Sequence, residues 1–226
     1  MIIFSQNVYD YVGKMKKDAA NIAFRHIKAR IMDFQLLPGV KISDEEVAKT
    51  LGTSRTPVRE SLNRLAELGL VEARKNRGFR VKIFKKKEIE ELYELRSNLE
   101  CLAVRLTISL LTAKRANTLR NLLNSYPSVM RSNDLASFND ADEKFHDLIA
   151  SYSENRLLYE TLKNLKDKIR VVRRYDHLRS GSFEETRGEH KKILDLIIKG
   201  DAAKAERAMS SHILNSMKVV MSTVGK

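Results

Sequence analysis

Apolar residues recur along this chain at helical spacing, broken by one stretch of alternation. Over residues 18–34, Ile22, Ala23, His26, Ile27, Arg30 and Ile31 recur at helical spacing, an amphipathic helix that the Leu37-Pro38-Gly39 turn ends. Val40-Lys41-Ile42 is a short extended piece. Ser43, with Glu46 three residues on, reads as a capping box for a helix from Asp44 to Leu51, which Gly52 closes in a left-handed conformation. A third helix is predicted to start at Thr56, with Pro57 at its first position. Val58, Leu62, Leu65 and Leu68 form its apolar face, Arg55, Arg59, Asn63 and Arg64 its polar face, and Gly69 stops it. The pattern then alternates over Leu70–Ala73 and Phe79–Ile83, two strands around the basic turn from Arg74 to Gly78.

From Glu88 onward the spacing returns to three and four, as in Leu92, Leu95, Leu99, Leu102 and Leu106. Six helices are predicted, near 88–110, 113–125, 132–152, 155–178, 182–199 and 201–222. Thr112, Asp201 and Ser182 (with Glu185) sit at helix starts and Gly200 at a helix end. Their short connections imply antiparallel neighbours. The fold class expected is an N-terminal winged helix-turn-helix (α+β) over 18–84, followed by an all-α antiparallel helical bundle over 85–226. Residues 1–17 form an extension, either ordered or a tail.

Composition narrows the function. The 226 residues are 42% apolar and 31% charged, with a single cysteine, Cys101, so no intrachain disulfide framework is available. No stretch approaches the ~20 apolar residues of a membrane span, and the N-terminus lacks the features of a signal peptide. A soluble cytoplasmic protein is expected, with no membrane partner. The net charge is +13, and residues 1–87 hold 19 of the 42 Lys/Arg but 9 of the 29 Asp/Glu. A polyanion contact therefore belongs to the first third. There, two helices joined by a tight glycine turn, the second with arginines at its N-terminal end, form the helix-turn-helix pattern. Arginine suits a recognition helix because its planar fork bonds guanine O6 and N7 together. The basic hairpin tip that follows is placed to reach phosphate or the minor groove.

The histidines suggest a second chemistry. Asp142 and His146 lie four apart, on one helix face. His190 and His212 fall midway along the last two helices. An antiparallel bundle can bring the four to one interior point, where three imidazoles and a carboxylate suit a divalent transition metal, zinc first, with nickel, iron or manganese as alternatives. Spacing alone leaves open that these are hydrogen-bonded core histidines and a local Asp/His pair. It also leaves open a metal-dependent hydrolase with a basic accessory domain, for which Glu189 is the obvious base, and an architectural DNA protein with no effector.

Two resemblances narrow these choices. The run from Lys41 to Val81, above all Ser54-Arg55-Thr56-Pro57-Val58-Arg59-Glu60, closely resembles the DNA-binding domain of GntR-family transcriptional regulators. That resemblance covers residues 18–83 and implies DNA contacts from Arg55, Thr56, Arg59 and Arg64, and from the wing residues Asn76, Arg77 and Gly78. Asp142 to Ile149, Glu189 to Ile193 and Met209 to Ile213 resemble the FCD domain, the effector domain of the FadR-like subgroup, across residues 88–222. This implies metal ligation by Asp142, His146, His190 and His212. Tyr93 to Glu100 matches that domain's first helix and implies that Arg96 lines an effector cavity, though Arg96 can instead pair with Glu100 four residues on. Arg170, Arg173 and Arg174 are further cavity candidates. The function implied is a homodimeric regulator without enzymatic activity, which binds a near-palindromic double-stranded operator and senses a small carboxylate effector.

Overall fold

In the computed structural model, residues 3–75, 77–131, 135–173 and 183–222 are described, with side chains over 18–75, 77–125, 140–173 and 184–222. Helix α1 (Ile3–Met32) starts at Ile3, well before the amphipathic stretch that begins near residue 18. Its buried face is Ala23, Ile27 and Ile31. Strand β1 (Lys41–Ile42) leads into α2 (Asp44–Leu51), where the Ser43 hydroxyl accepts the Glu46 N–H at 3.2 Å. Gly52 ends α2 with φ 61°, a conformation that costs glycine nothing.

Helix α3 (Arg55–Glu67) has Ser54 rather than Thr56 at the N-cap, so Pro57 is its third residue, two positions later than predicted. The shift is tolerated because the first N–H groups of a helix have no partner within it. Val58, Leu62 and Leu65 are fully buried and pack α3 against α1 and α2. Strands β2 (Val71–Arg74) and β3 (Gly78–Val81) pair antiparallel, and β1 adds to the other edge of β3. Phe79 of β3 stands opposite both Ile42 and Ala73, so its register aligns the wing with the start of α2.

Residues 1–84 form one compact unit and 85–226 a second. The described residues of the second unit are helical: α4 (Lys86–Ser109), α5 (Ala113–Arg131), α6 (Leu135–Tyr152), α7 (Arg156–Arg173), α8 (Phe183–Lys199) and α9 (Ala202–Met221). Helix α5 runs on past residue 125. Residues 174–182, which include Arg174 and the expected Ser182 cap, lie outside the described residues. Thr112 accepts the Arg115 N–H at the start of α5, and Asp201 accepts the Lys204 N–H at the start of α9. Helix α4 is the central element and packs on α6, α7, α8 and α9.

Its buried face differs from the leucine stripe that the spacing suggests. Of that stripe only Leu92 is buried, and Ile89, Tyr93, Ala103, Val104 and Thr107 are buried with it, together with Arg96, Ser97 and Glu100. Leu95 is 48% exposed, and Leu99, Leu102 and Leu106 are only half-buried. The interior of this bundle holds charged groups, so α4 turns a partly polar face inward and leaves leucines at its flank.

Candidate metal centre and nucleic-acid interface

Three helices bring Asp142, His146, His190 and His212 together. All four are buried, and one ligand atom from each lies within 4.8 Å of the others. Helical spacing puts Asp142 and His146 one turn apart on α6, α8 supplies His190, and α9 supplies His212. His212 Nε2 is 3.2 Å from His190 Nε2 and 3.3 Å from His146 Nε2. Asp142 Oδ1 is 3.4 Å from His190 Nε2, buried, and without a hydrogen-bond donor among the described residues. Phe145 stacks on His190 with ring centroids 4.0 Å apart and holds that imidazole in place.

The outer nitrogens decide what the inner ones offer. His212 Nδ1–H donates to Glu189 Oε2 at 2.6 Å, and Asn215 Nδ2 donates to Glu189 Oε1 at 2.8 Å. With its proton on Nδ1, His212 turns a bare Nε2 lone pair inward. Glu100 Oε1 lies 3.1 Å from His146 Nδ1, close enough to favour a proton there as well. Two lone pairs 3.3 Å apart repel unless a cation lies between them. Neighbouring donors held ~2.0–2.1 Å from one ion stand ~2.8–3.0 Å apart in octahedral and ~3.3–3.4 Å apart in tetrahedral geometry. The donor set therefore fits a divalent metal.

Electrostatics agree. Burial lowers His190 well below the ordinary histidine range, and His212 beside it adds to this, so His190 is neutral and able to ligate. Burial also lowers His212, against the opposing Glu189 bond. Burial pushes Asp142 up, but the Arg173 guanidinium and the three histidines outweigh it and hold Asp142 well below the carboxylate range. Arg173 donates to Asp142 Oδ2, which leaves Oδ1 facing the imidazoles. Burial likewise raises Glu100, but His146 and Arg96 hold it at about 2.

A cavity of about 40 Å³ adjoins this cluster, lined by Arg96, Glu100, His146, Lys166, Arg170 and Arg173 among others. Arg96 lines this cavity, and its Nε donates to Glu100 Oε1 at 3.3 Å. Glu143 also lines this cavity and pairs with Lys166 at 3.2 Å. Arg170 and Arg173, cavity candidates in the sequence, both line the cavity, but that Arg173 bonds Asp142 and that Glu100 and Glu189 lie against histidines was not separable in sequence from other charged helix residues. The only signals were Glu189 next to His190 and Glu100 one turn after Arg96.

In the first unit, an open groove of about 670 Å³ runs between α3 and the wing. Arg55, Arg59, Arg77 and Gly78 line it, and Thr56 is exposed at the second position of α3. Gly78 has φ 74° at the start of β3. Arg64 points elsewhere: it donates to Asn21 at 2.9 Å and lies over the Phe24 ring at 4.4 Å, both on α1. Asn76 lies outside the described residues.

Known proteins share both halves. Residues 20–81 match the bacterial regulatory proteins of the gntR family, and residues 91–215 match the FCD domain. The HTH-type transcriptional repressor RspR of Escherichia coli K12 is 29% identical over 193 residues, which span 84% of this chain and 83% of the relative. The Nta operon transcriptional regulator of Aminobacter aminovorans is 33% identical over 147 residues, spanning 64% and 69%. The solved structure of E. coli McbR/YncC superposes with a TM-score of 0.76 at 20% identity, covering 89% of this chain and 96% of that one.

Proposed function

The chain belongs to the GntR family of bacterial transcriptional regulators that carry an FCD domain, and from that premise we propose a metal-anchored sensor of a small carboxylate, coupled to operator binding. Residues 18–84 bind the operator. Arg55, Thr56 and Arg59 at the start of α3 face the base edges, and Arg77 and Gly78, with Asn76 beside them in sequence, lie along the backbone. Arg64, engaged by α1, is assigned a supporting contact one turn beyond the groove.

Residues 85–226 form the sensor. Asp142 through Oδ1 and His146, His190 and His212 through Nε2 hold a divalent ion, with zinc first and nickel, iron or manganese as alternatives. Bound there, the ion supplies a Lewis-acid contact for one oxygen of a carboxylate. Arg96, Lys166, Arg170 and Arg173 around the cavity supply donors for the rest of the anion. The cavity has room for about three waters by volume, so the effector is small. The observation that carries this reading is the convergence of three Nε2 atoms and an orphaned carboxylate oxygen beside an arginine-lined cavity.

A homodimer is supported by the leucine flank of α4. Leu95, Leu99, Leu102 and Leu106 form a stripe that the chain leaves partly uncovered. Two-fold symmetry would match a near-palindromic operator. Effector binding would shift DNA affinity by a coupling of ~1–3 kcal/mol.

The test is elemental analysis combined with thermal unfolding against a panel of small organic acids. One metal per chain is expected after dialysis. An acid at 100 times its Kd should add about 2.7 kcal/mol of stability, lost on stripping and restored by metal. A chain that holds no metal, or an acid that stabilises the stripped and loaded protein equally, would overturn the metal-anchored site.

A further inference from the structure

The operator-binding groove contains a carboxylate that phosphate contacts do not call for. Asp44, the first residue of α2, accepts Arg55 Nη2 on both oxygens, at 3.0 and 3.1 Å, and Arg59 Nη1 at 3.1 Å. Arg55 and Arg59 lie four apart on α3, so one carboxylate at the end of the preceding helix reaches both. The Gly52 turn between the helices makes the meeting possible. The Asp44 side chain is only 14% exposed, whereas the arginines above it are 57% and 56% exposed. Arg59 is also flanked from the wing, its guanidinium 5.8 Å from the centre of the Phe79 ring.

We infer that Asp44 is a positioning residue for sequence discrimination, holding Arg55 and Arg59 aimed into the groove at the cost of affinity for DNA in general. The inference rests on the reading of this groove as the operator interface. Exposed arginines sample many rotamers, and a fork that must meet guanine O6 and N7 together gains from being held. Each guanidinium has five N–H donors, and the contacts with Asp44 engage one nitrogen of each. The remaining donors can face a base. The carboxylate also removes one positive charge from the groove and repels phosphate, which weakens binding to any sequence. Partial burial pushes Asp44 up, but the hydrogen bonds from Arg55 and Arg59 outweigh it and keep the group ionised at neutral pH.

A purely local role is the rival explanation, because an acid in the first turn of α2 also stabilises that helix end. The two roles separate in a binding assay with the full-length protein. The probes are a duplex that the unmodified protein selects from a random-sequence pool and a scrambled duplex of equal length. Asp44→Asn should bind the scrambled duplex more tightly and lose roughly tenfold in the ratio of selected to scrambled affinity. Its log–log salt slope should steepen by about one. Asp44→Ala should behave alike, which guards against a peculiarity of the asparagine. In an Arg55→Ala/Arg59→Ala background, Asp44→Asn should leave the ratio unchanged. If Asp44→Asn changes both affinities equally while the double arginine variant loses discrimination, the inference alone is overturned. If the double arginine variant keeps full discrimination, the reading of the groove beneath it fails.

Discussion

A carboxylate on the outer nitrogen of a histidine decides what the inner nitrogen offers a ligand, and Glu189 does this for His212. The bond is short, and Asn215 holds the opposite oxygen of Glu189, so the imidazole cannot rotate without losing a partner that is itself anchored. Orienting groups of this kind typically change metal affinity by ~10–100-fold. Glu189→Gln should therefore weaken the metal by about that factor in a chelator competition, with the helical circular dichroism unchanged. An affinity equal to that of the unmodified chain would mean that Glu189 is only a surface partner of α9. The same pairing weakens the hydrolase reading, since Glu189 is engaged by His212 and Asn215 where a general base would have to face a substrate.

At the scale of elements, the short α2–α3 turn connects local backbone chemistry to the groove. Gly52 has φ 61°, and no atom lies within 4 Å of where a Cβ would stand. Alanine there meets backbone strain without a clash. The expected cost is about 1 kcal/mol, read as a lower urea midpoint for the full-length chain. Because the turn sets the distance from Asp44 to Arg55 and Arg59, Gly52→Ala should also reduce operator discrimination. A stability equal to that of the glycine form would show that the turn can change conformation. Helix α4 teaches a second lesson about elements. Leu95, Leu99, Leu102 and Leu106 mark the flank, while Arg96, Ser97 and Glu100 join Leu92 on the buried face, because the bundle is built around a charged centre.

At the scale of the molecule, the two compact units carry similar net charge at very different density. Residues 1–84 carry +7 and residues 85–226 carry +6, the Lys85-Lys86-Lys87 run falling in the second, so the first unit has about twice the positive charge per residue and the stronger local attraction for DNA. Operator affinity should fall steeply with salt, by ~10³–10⁵ between 50 and 200 mM for ~6–10 phosphate contacts. His190→Ala, which alters only the sensor, should leave that slope unchanged. A flat salt response would contradict a phosphate-based interface. No described helix is long and apolar enough to cross a membrane.

Local signals carried most of the secondary structure into the sequence. Ser43, Gly52, Asp201 and Gly200 mark helix ends through backbone conformations and caps that depend only on near neighbours. The change of period after Gly69 marks the wing. The Arg55-to-Glu60 run and the Asp142/His146 pair were legible for the same reason, since one helix turn fixes their relation. The start of α1 at Ile3 and of α3 at Arg55 was not, because helix ends are set by what they pack against and by which N–H groups need partners. Tertiary structure alone decided that Arg173 bonds Asp142 and Glu189 bonds His212, that Glu100 lies against His146, that Arg64 turns to α1 and that Asp44 lies under two arginines. Each of these contacts joins residues on different helices. Their distances depend on how the helices cross, which no spacing along the chain encodes.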